Sequence, residues 1–366
     1  MRIVQKYGGS SVADVAKIRR VALRIATTRS DGHELVVVVS AVGNPTSDLL
    51  ALAREVSKSP GRRELDMLIS VGERVTMALL AMALHEMGVP ARSFTGSQSG
   101  IITDDAHASA RVVEVRPDRV REALAAGEVA IVAGFQGVSR AKEVTTLGRG
   151  GSDTTAVVLA AALGADECEI CSDVDGVWSA DPRSVSAAIK LDSLSLDEAL
   201  AMARNGAKIL YEDAVAAAHR LGVTLRASQT TGEGTGTLVS NCAPPTRVVA
   251  VVTDVELAVA PLASLAQLPT PCVRFADSQA GLVIDRRNLH AAVAGLEPMA
   301  TVAVVGTRAG SDPALLRQIV AAGADAPRWW ASADAVTFLV KSSDATSLER
   351  HLHLVFVERS GKNVAP

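Results

Sequence analysis

The sequence predicts an α/β fold: a mostly parallel sheet with helices on both faces, followed by a smaller α+β unit. Three observations carry this. The runs 35–40 and 129–133 are apolar almost throughout, as strands covered on both faces require. Segments 13–28 and 154–163 lie between such runs and have helical character, the first with Val15, Ile18, Ala22 and Ile25 on one face. The alternation stops near Asn241, where Ala243-Pro-Pro-Thr reads as a linker and the chain becomes strand-rich.

The length of 366 residues exceeds what one hydrophobic core usually holds. We therefore expect two domains, 1–242 and 248–366, the second divided into a shortened unit at 248–296 and a fuller one at 299–357. Along the first domain, residues 3–7 form a strand that runs into the turn Gly8-Gly9. Residues 65–87 read as one long helix rich in Ala, Leu and Met. The helix at 154–163 is Ala-rich and stopped by Gly164. Ser195-x-x-Glu198 reads as a capping box opening a helix. A further helix at 208–221 ends at Gly222. In the second domain, 248–259 and 272–285 read as strands. A strand at 301–305, a helix at 312–322, a strand at 335–340 and a helix at 345–355 complete it.

Composition narrows the function classes. A net charge of −3 offers no broad basic surface for nucleic acid. The N-terminus enters a strand at once, without the apolar core of a signal peptide, and no apolar run has the length of a membrane helix. A cytoplasmic protein with no membrane partner is the expectation. Cys168-Glu-Ile-Cys171 has the spacing of a zinc or redox pair, but no second pair or paired His motif accompanies it, and it lies in a strand. Buried structural thiols are expected there.

Three segments carry chemistry. Lys6-Tyr-Gly-Gly-Ser-Ser ends the first strand; its glycines let backbone N–H groups approach a phosphate, while Lys6 adds charge and Ser10 a hydroxyl. By itself the segment reads more readily as a tight turn with a surface lysine. Thr146-Leu-Gly-Arg-Gly-Gly-Ser-Asp opens a helix whose N-terminus favours an anion, and Arg149 can grip a carboxylate with two bonds. Asp153 repels phosphate but can pair with Lys6 and Lys208. The spacing is neither Walker A nor the dinucleotide fingerprint. Ser172-Asp-Val-Asp-Gly-Val-Trp-Ser-Ala-Asp-Pro-Arg183 follows a strand and suits a nucleoside, with Asp181 and Arg183 available to ribose or phosphate. It lacks the downstream Glu of a calcium loop.

Together these segments resemble the aspartate kinase branch of the amino acid kinase family. Ser40-Ala-Val-Gly-Asn-Pro-Thr-Ser-Asp, Ser70-Val-Gly-Glu-Arg, Phe94-Thr-Gly-Ser-Gln-Ser-Gly and Gly134-Phe-Gln-Gly match the same pattern in the same order, from residue 2 to about 240. The resemblance implies an amino acid kinase-like three-layer sandwich with an ACT-like, ferredoxin-like C-terminal domain. It implies transfer of the ATP γ-phosphate to the β-carboxylate of L-aspartate. Lys6, Asp153 and Lys208 would be catalytic. Ser40, Thr46, Glu73, Arg149, Gly150, Gly151 and Ser152 would hold aspartate, with Glu73 on its amino group and Arg149 on its α-carboxylate. Lys6, Gly8, Gly9, Ser10, Ser172, Asp173, Trp178, Asp181, Arg183, Lys208 and Ile209 would hold ATP. Mg2+ would ride on the nucleotide, so no protein ligand for it is named. A homodimer through the ACT-like domain is expected.

The sequence departs from the family in three places. Trp178 stands where tyrosine is usual. Tyr211-Glu212-Asp213 replaces a neutral-to-basic run; acidic residues there suit a helix N-terminus but could also weaken ATP or Mg2+ binding. Where a first ACT helix should follow Val259, only Pro261-Leu-Ala-Ser-Leu-Ala-Gln precedes Pro269, and Pro327-Arg-Trp-Trp-Ala-Ser replaces an apolar-and-serine segment. Weak or absent feedback inhibition by lysine and threonine follows as an expectation. Trp329 and Trp330 are expected to pack, internally or between sheets of a dimer. Two alternatives stay open: a kinase for another small carboxylate, and a binding protein without turnover.

Overall fold

The computed structural model describes residues 1–43, 45–232, 234–262, 268, 272–277, 281–289, 293, 295–326 and 328–359. The side chains of 45, 46, 275–277 and 288 are likewise outside the description. The chain divides into two compact units. The first comprises Met1–Val177, Asp192–Leu196 and Ile209–Cys242; the second comprises Trp178–Leu191, Asp197–Lys208 and the chain from Ala243 onward.

The first unit is built on an eight-stranded sheet. Its strand order is Ser193–Ser195, Thr237–Ser240, Leu225–Gln229, Glu167–Ser172, Arg2–Tyr7, Glu34–Val39, Val129–Ala133, Ala91–Phe94. All neighbours are parallel except Leu225–Gln229 with Thr237–Ser240. Arg2–Tyr7 is central, with Lys6 opposite Val38 on one side and Ile170 on the other. Alternate residues of a strand face opposite ways. Tyr7, Val37 and Val39 therefore share one core with Ile18, Val21 and Ile25 of the helix Val15–Ser30 and Leu80 and Leu84 of the helix Val71–Glu86. Lys6 points to the other face, where the helix Gly151–Leu163 lies. That helix buries nearly its whole surface, and Gly164 ends it in the left-handed conformation. A second sheet, ordered Val112–Val115, Ile101–Thr103, Gln136–Ser139, Val144–Thr146, flanks the site.

Two helical expectations are corrected. The helix at 65–87 divides into Arg62–Ile69 and Val71–Glu86, with Ser70 at the junction (φ −69°, ψ −5°). The Gln136 side-chain amide donates to the Ser70 carbonyl at 2.8 Å, a partner from outside the helix ladder. By length and composition the stretch 62–86 could cross a membrane, contrary to the sequence expectation, but half of its most apolar window is buried inside the fold. The helix expected from Lys208 begins at Glu212, with Tyr211 extended (ψ 141°) at its N-cap; Glu212 and Asp213 occupy its first turn.

The second unit carries a six-stranded sheet ordered Val273–Asp277, Gly281–Asp285, Ala250–Ala260, Glu297–Val305, Ala335–Lys341, Arg328–Ser332, antiparallel throughout. Phe338, Val302 and Val304 pack against Ile319 of the helix Pro313–Ala322 and Leu352 of the helix Ala345–His353. Residues 178–191 and 197–208 group with this unit, and specific polar bonds tie them there. Ser179 Oγ lies 2.9 Å from His353 Nε2, Arg247 donates two 2.9 Å bonds to Glu198, and Thr337 Oγ1 donates to Asn205 at 2.8 Å. The strand Arg328–Ser332 was not anticipated. Trp330 is half-buried in a small apolar cluster, whereas Trp329 is 46% exposed, so only one of the two packs as expected within the chain. Of the stretch Pro261–Gln267, read as standing where a first ACT helix is missing, residues 263–267 lie outside the described residues.

Candidate active site

The parallel sheet delivers the ends of its central strands to one edge, the place where open α/β sheets bind ligands. Arg2–Tyr7 brings Lys6 there. Lys6 Nζ stands 2.5 Å from Asp153 Oδ1, in the first turn of Gly151–Leu163. Lys6 is 8% exposed and Asp153 1%. The adjacent Gly8 is packed closely enough that a Cβ would lie 3.4 Å from Lys6 Nζ. Gly9 abuts the turn after Glu34–Val39, its Cβ position 3.5 Å from the Ala41 carbonyl. Ser40 is half-buried in that turn and its N–H donates to the Tyr7 carbonyl at 3.1 Å, so the first two strand ends are tied together.

Glu73 comes from the first turn of Val71–Glu86 and is 4% exposed. Burial pushes its carboxyl up to about 7, against the pull of backbone hydrogen bonds at Glu73 and Ala41. Its Oε2 is buried with no hydrogen-bond partner among the described residues. Such an atom is expensive unless something completes it.

Arg149 sits between two left-handed glycines, Gly148 (φ 80°) and Gly150 (φ 72°), at the mouth of the helix beginning at Gly151. It is exposed, and among the described residues no carboxylate pairs with it. Gly150 has a second constraint: a Cβ there would lie 2.6 Å from Tyr211 Cβ and Cγ. Ser152 is buried, and any side chain at Gly134 would strike its hydroxyl. Thr46 falls at the start of the helix Pro45–Val56, with its side chain outside the described residues.

Ser10, Ser172 and Asp173 line one cleft of about 190 Å³ together with Lys17, Arg20 and Thr230. The last three have no motif signature and were missed in the sequence. Thr230 is held by its N–H and hydroxyl on the Ser172 carbonyl (2.7 and 2.9 Å), and shares a 2.6 Å bond with Ser11. The remaining expected nucleotide residues are distributed differently. Ile209 is half-buried in the first unit, whereas Trp178, Asp181, Arg183 and Lys208 belong to the second. Trp178 is half-buried and bridges Lys190. Asp181 and Arg183 form a two-point ion pair at 2.7 and 3.0 Å, and the Arg183 bond holds the Asp181 carboxyl below its usual range. Lys208 is exposed, just ahead of the helix Glu212–Leu221.

Cys168 and Cys171 are free and buried. Burial, then the charge of Glu169, pushes the Cys171 thiol up to about 12, which disfavours a redox or metal-binding thiolate. Among the described residues no three His, Cys, Asp or Glu side chains converge as a metal site.

Residues 1–226 match the profile of the amino acid kinase family. The aspartokinase of Mycolicibacterium smegmatis is 55% identical over 238 residues, 65% of this chain and 56% of that protein. The chain thus spans a little over half the length of the curated relatives it matches so strongly. Among solved structures, aspartate kinase from Synechocystis superposes with a TM-score of 0.61 at 32% identity, covering 97% of this chain and 69% of that one. Escherichia coli aspartokinase III, in complex with aspartate and ADP, gives 0.79 at 23% identity, covering 97% and 99%. At that identity the likeness speaks for the fold.

Proposed function

The chain belongs to the amino acid kinase family, and from that premise we propose that it is an aspartate kinase, transferring the γ-phosphoryl group of MgATP to the β-carboxylate of L-aspartate. A β-carboxylate oxygen bonds to the γ-phosphorus, the bond from phosphorus to the β,γ-bridging oxygen breaks, and 4-phospho-L-aspartate and ADP leave. The attacking carboxylate is already ionised at pH 7, so no general base is required. The work of the protein is positioning and charge stabilisation of a loose phosphoryl transition state. Lys6 neutralises the transferring group, held in place by Asp153. Glu73 receives the substrate ammonium and Arg149 its α-carboxylate. Ser10, Ser172 and Asp173 hold the nucleotide.

The observation that carries this reading is Glu73 Oε2, buried and without a hydrogen-bond partner among the described residues. An ammonium is the ligand that both completes its hydrogen bonding and neutralises its charge, and a phosphoryl acceptor bearing one is an amino acid. The 55% identity to the aspartokinase of Mycolicibacterium smegmatis over 238 residues supports the same substrates. The decisive test is hydroxylamine trapping of the acyl phosphate with ATP, Mg2+ and a panel of aspartate, glutamate, succinate and β-alanine. Hydroxamate formed with aspartate, and hardly with succinate, is expected. Turnover of succinate equal to that of aspartate would favour another small carboxylate, and ATP binding with no hydroxamate would favour a binding protein.

The proposal extends to control. The backbone N–H groups opening Pro313–Ala322 are taken by the chain's own Asp312, whose Oδ1 accepts from Ala314 and Leu315 at 3.0 and 2.9 Å. An effector carboxylate would have to displace it. This supports weak or absent inhibition by lysine and threonine; strong inhibition at millimolar concentration refutes it. A homodimer through the second unit and a cytoplasmic setting complete the reading. The exposed Trp329 on the edge strand Arg328–Ser332 supports the dimer, which sedimentation of the purified protein would test.

A further inference from the structure

We infer that the Asp66–His107 pair anchors the loop presenting Arg149, making both of them positioning residues for the substrate's α-carboxylate; this rests on the aspartate kinase reading. Asp66 is fully buried on the helix Arg62–Ile69. A buried carboxylate is tolerated only when donors surround it. Asp66 has three, from two other segments. His107 Nδ1 donates to Oδ2 at 2.7 Å, the Ala108 N–H donates to both oxygens at 3.1 and 3.2 Å, and Thr146 Oγ1 donates to Oδ1 at 2.6 Å.

The geometry ends at Arg149. Thr146 is the last residue of the strand Val144–Thr146 and is held twice, by its hydroxyl on Asp66 and by its carbonyl, which accepts from the Ala110 N–H at 2.9 Å. Gly148 packs on the same turn, its Cβ position 3.6 Å from the Ala108 carbonyl. Ala108 is itself left-handed (φ 70°), a conformation that costs an alanine energy and persists only when its surroundings impose it. Its N–H bond to Asp66 is one such constraint. Arg149 has no ion pair of its own among the described residues, so the position of its guanidinium depends on the base of the loop. His107 is half-buried, 41 residues along the chain from Asp66, and touches no proposed substrate group.

Steady-state kinetics of His107→Ala, Arg149→Ala and the double variant separate positioning from simple structural support. His107→Ala should raise KM for aspartate by about tenfold, with KM for ATP unchanged, because a misplaced binding group costs one to two orders of magnitude. His107→Asn, whose side-chain N–H can reach Asp66, should restore most of the loss. In the Arg149→Ala background, His107→Ala should have no further effect on aspartate. Additive effects, or equal rises in both KM values, would overturn the inference. Wild-type turnover with aspartate controls for the kinase reading: its absence removes both that reading and this inference, while normal wild-type turnover with an unaffected His107→Ala enzyme removes the inference alone.

Discussion

Lys6 Nζ and Asp153 Oδ1 face each other at 2.5 Å with almost no water around them. Breaking one side of such a pair leaves an uncompensated buried charge, typically costing about 3–5 kcal/mol, while replacing both sides with apolar groups is often nearly neutral. Lys6→Met and Asp153→Leu should each lower the unfolding free energy measured in urea, and the double variant should recover most of the loss. Turnover should fall by about two orders of magnitude or more in all three, since the preorganised charge at the phosphoryl group is gone in each. A double variant that regained turnover with its stability would contradict the catalytic role.

Glu73 makes aspartate binding sensitive to pH. Its carboxyl titrates near 7 in the free protein because burial disfavours the charge. An ammonium ligand requires the carboxylate, so KM for aspartate should rise as pH falls through about 7, and binding near that pH should release a proton, measurable by calorimetry in buffers of different ionisation enthalpy. The stability effect has the opposite direction. A folded-state value raised above the unfolded one gives stability that is complete below about 4.5 and is lost as pH rises through about 7. Glu73→Gln should therefore melt higher than wild type at pH 8, by about 1–3 kcal/mol of stability, while losing aspartate affinity.

Gly150 couples the Arg149 loop to Tyr211. Gly150→Ala meets two obstacles: a φ of 72° and a Cβ 2.6 Å from the tyrosine. A loss of about 1–3 kcal/mol and a higher KM for aspartate are expected. Adding Tyr211→Gly, which removes both the Cβ and the Cγ, should relieve the collision but not the backbone strain, so thermal melts of the four proteins would recover only part of the loss.

How much of this was legible in the sequence follows from how local each signal is. Val129–Ala133 is fully buried, and a continuous apolar run says so directly. Gly164 marked the end of its helix because its φ of 61° favours glycine. The break at Ser70 was not visible, since the Gln136 amide at its carbonyl comes from 66 residues away. Residues 178–191 and 197–208 join the second unit through bonds such as Ser179 to His353, 174 residues apart, which leave no local trace. The site divides in the same way. Glycine loops and their charged neighbours form contiguous motifs, so Lys6, Asp153 and Arg149 stood out. Asp66, His107, Lys17 and Arg20 belong to no motif, and only the fold brings them to their clusters.

The distribution of cysteines gives the molecule one chemical handle. Cys168, Cys171 and Cys272 are buried, while Cys242 is exposed and is the last residue of the first unit before the chain returns to the second at Ala243. A maleimide should modify one thiol per native chain and all four in denaturant. A fluorophore placed there would lie on the connecting segment itself, remote in sequence from Lys6 and Arg149, and would follow nucleotide- or aspartate-induced changes in that segment without alteration of a residue proposed to bind either ligand.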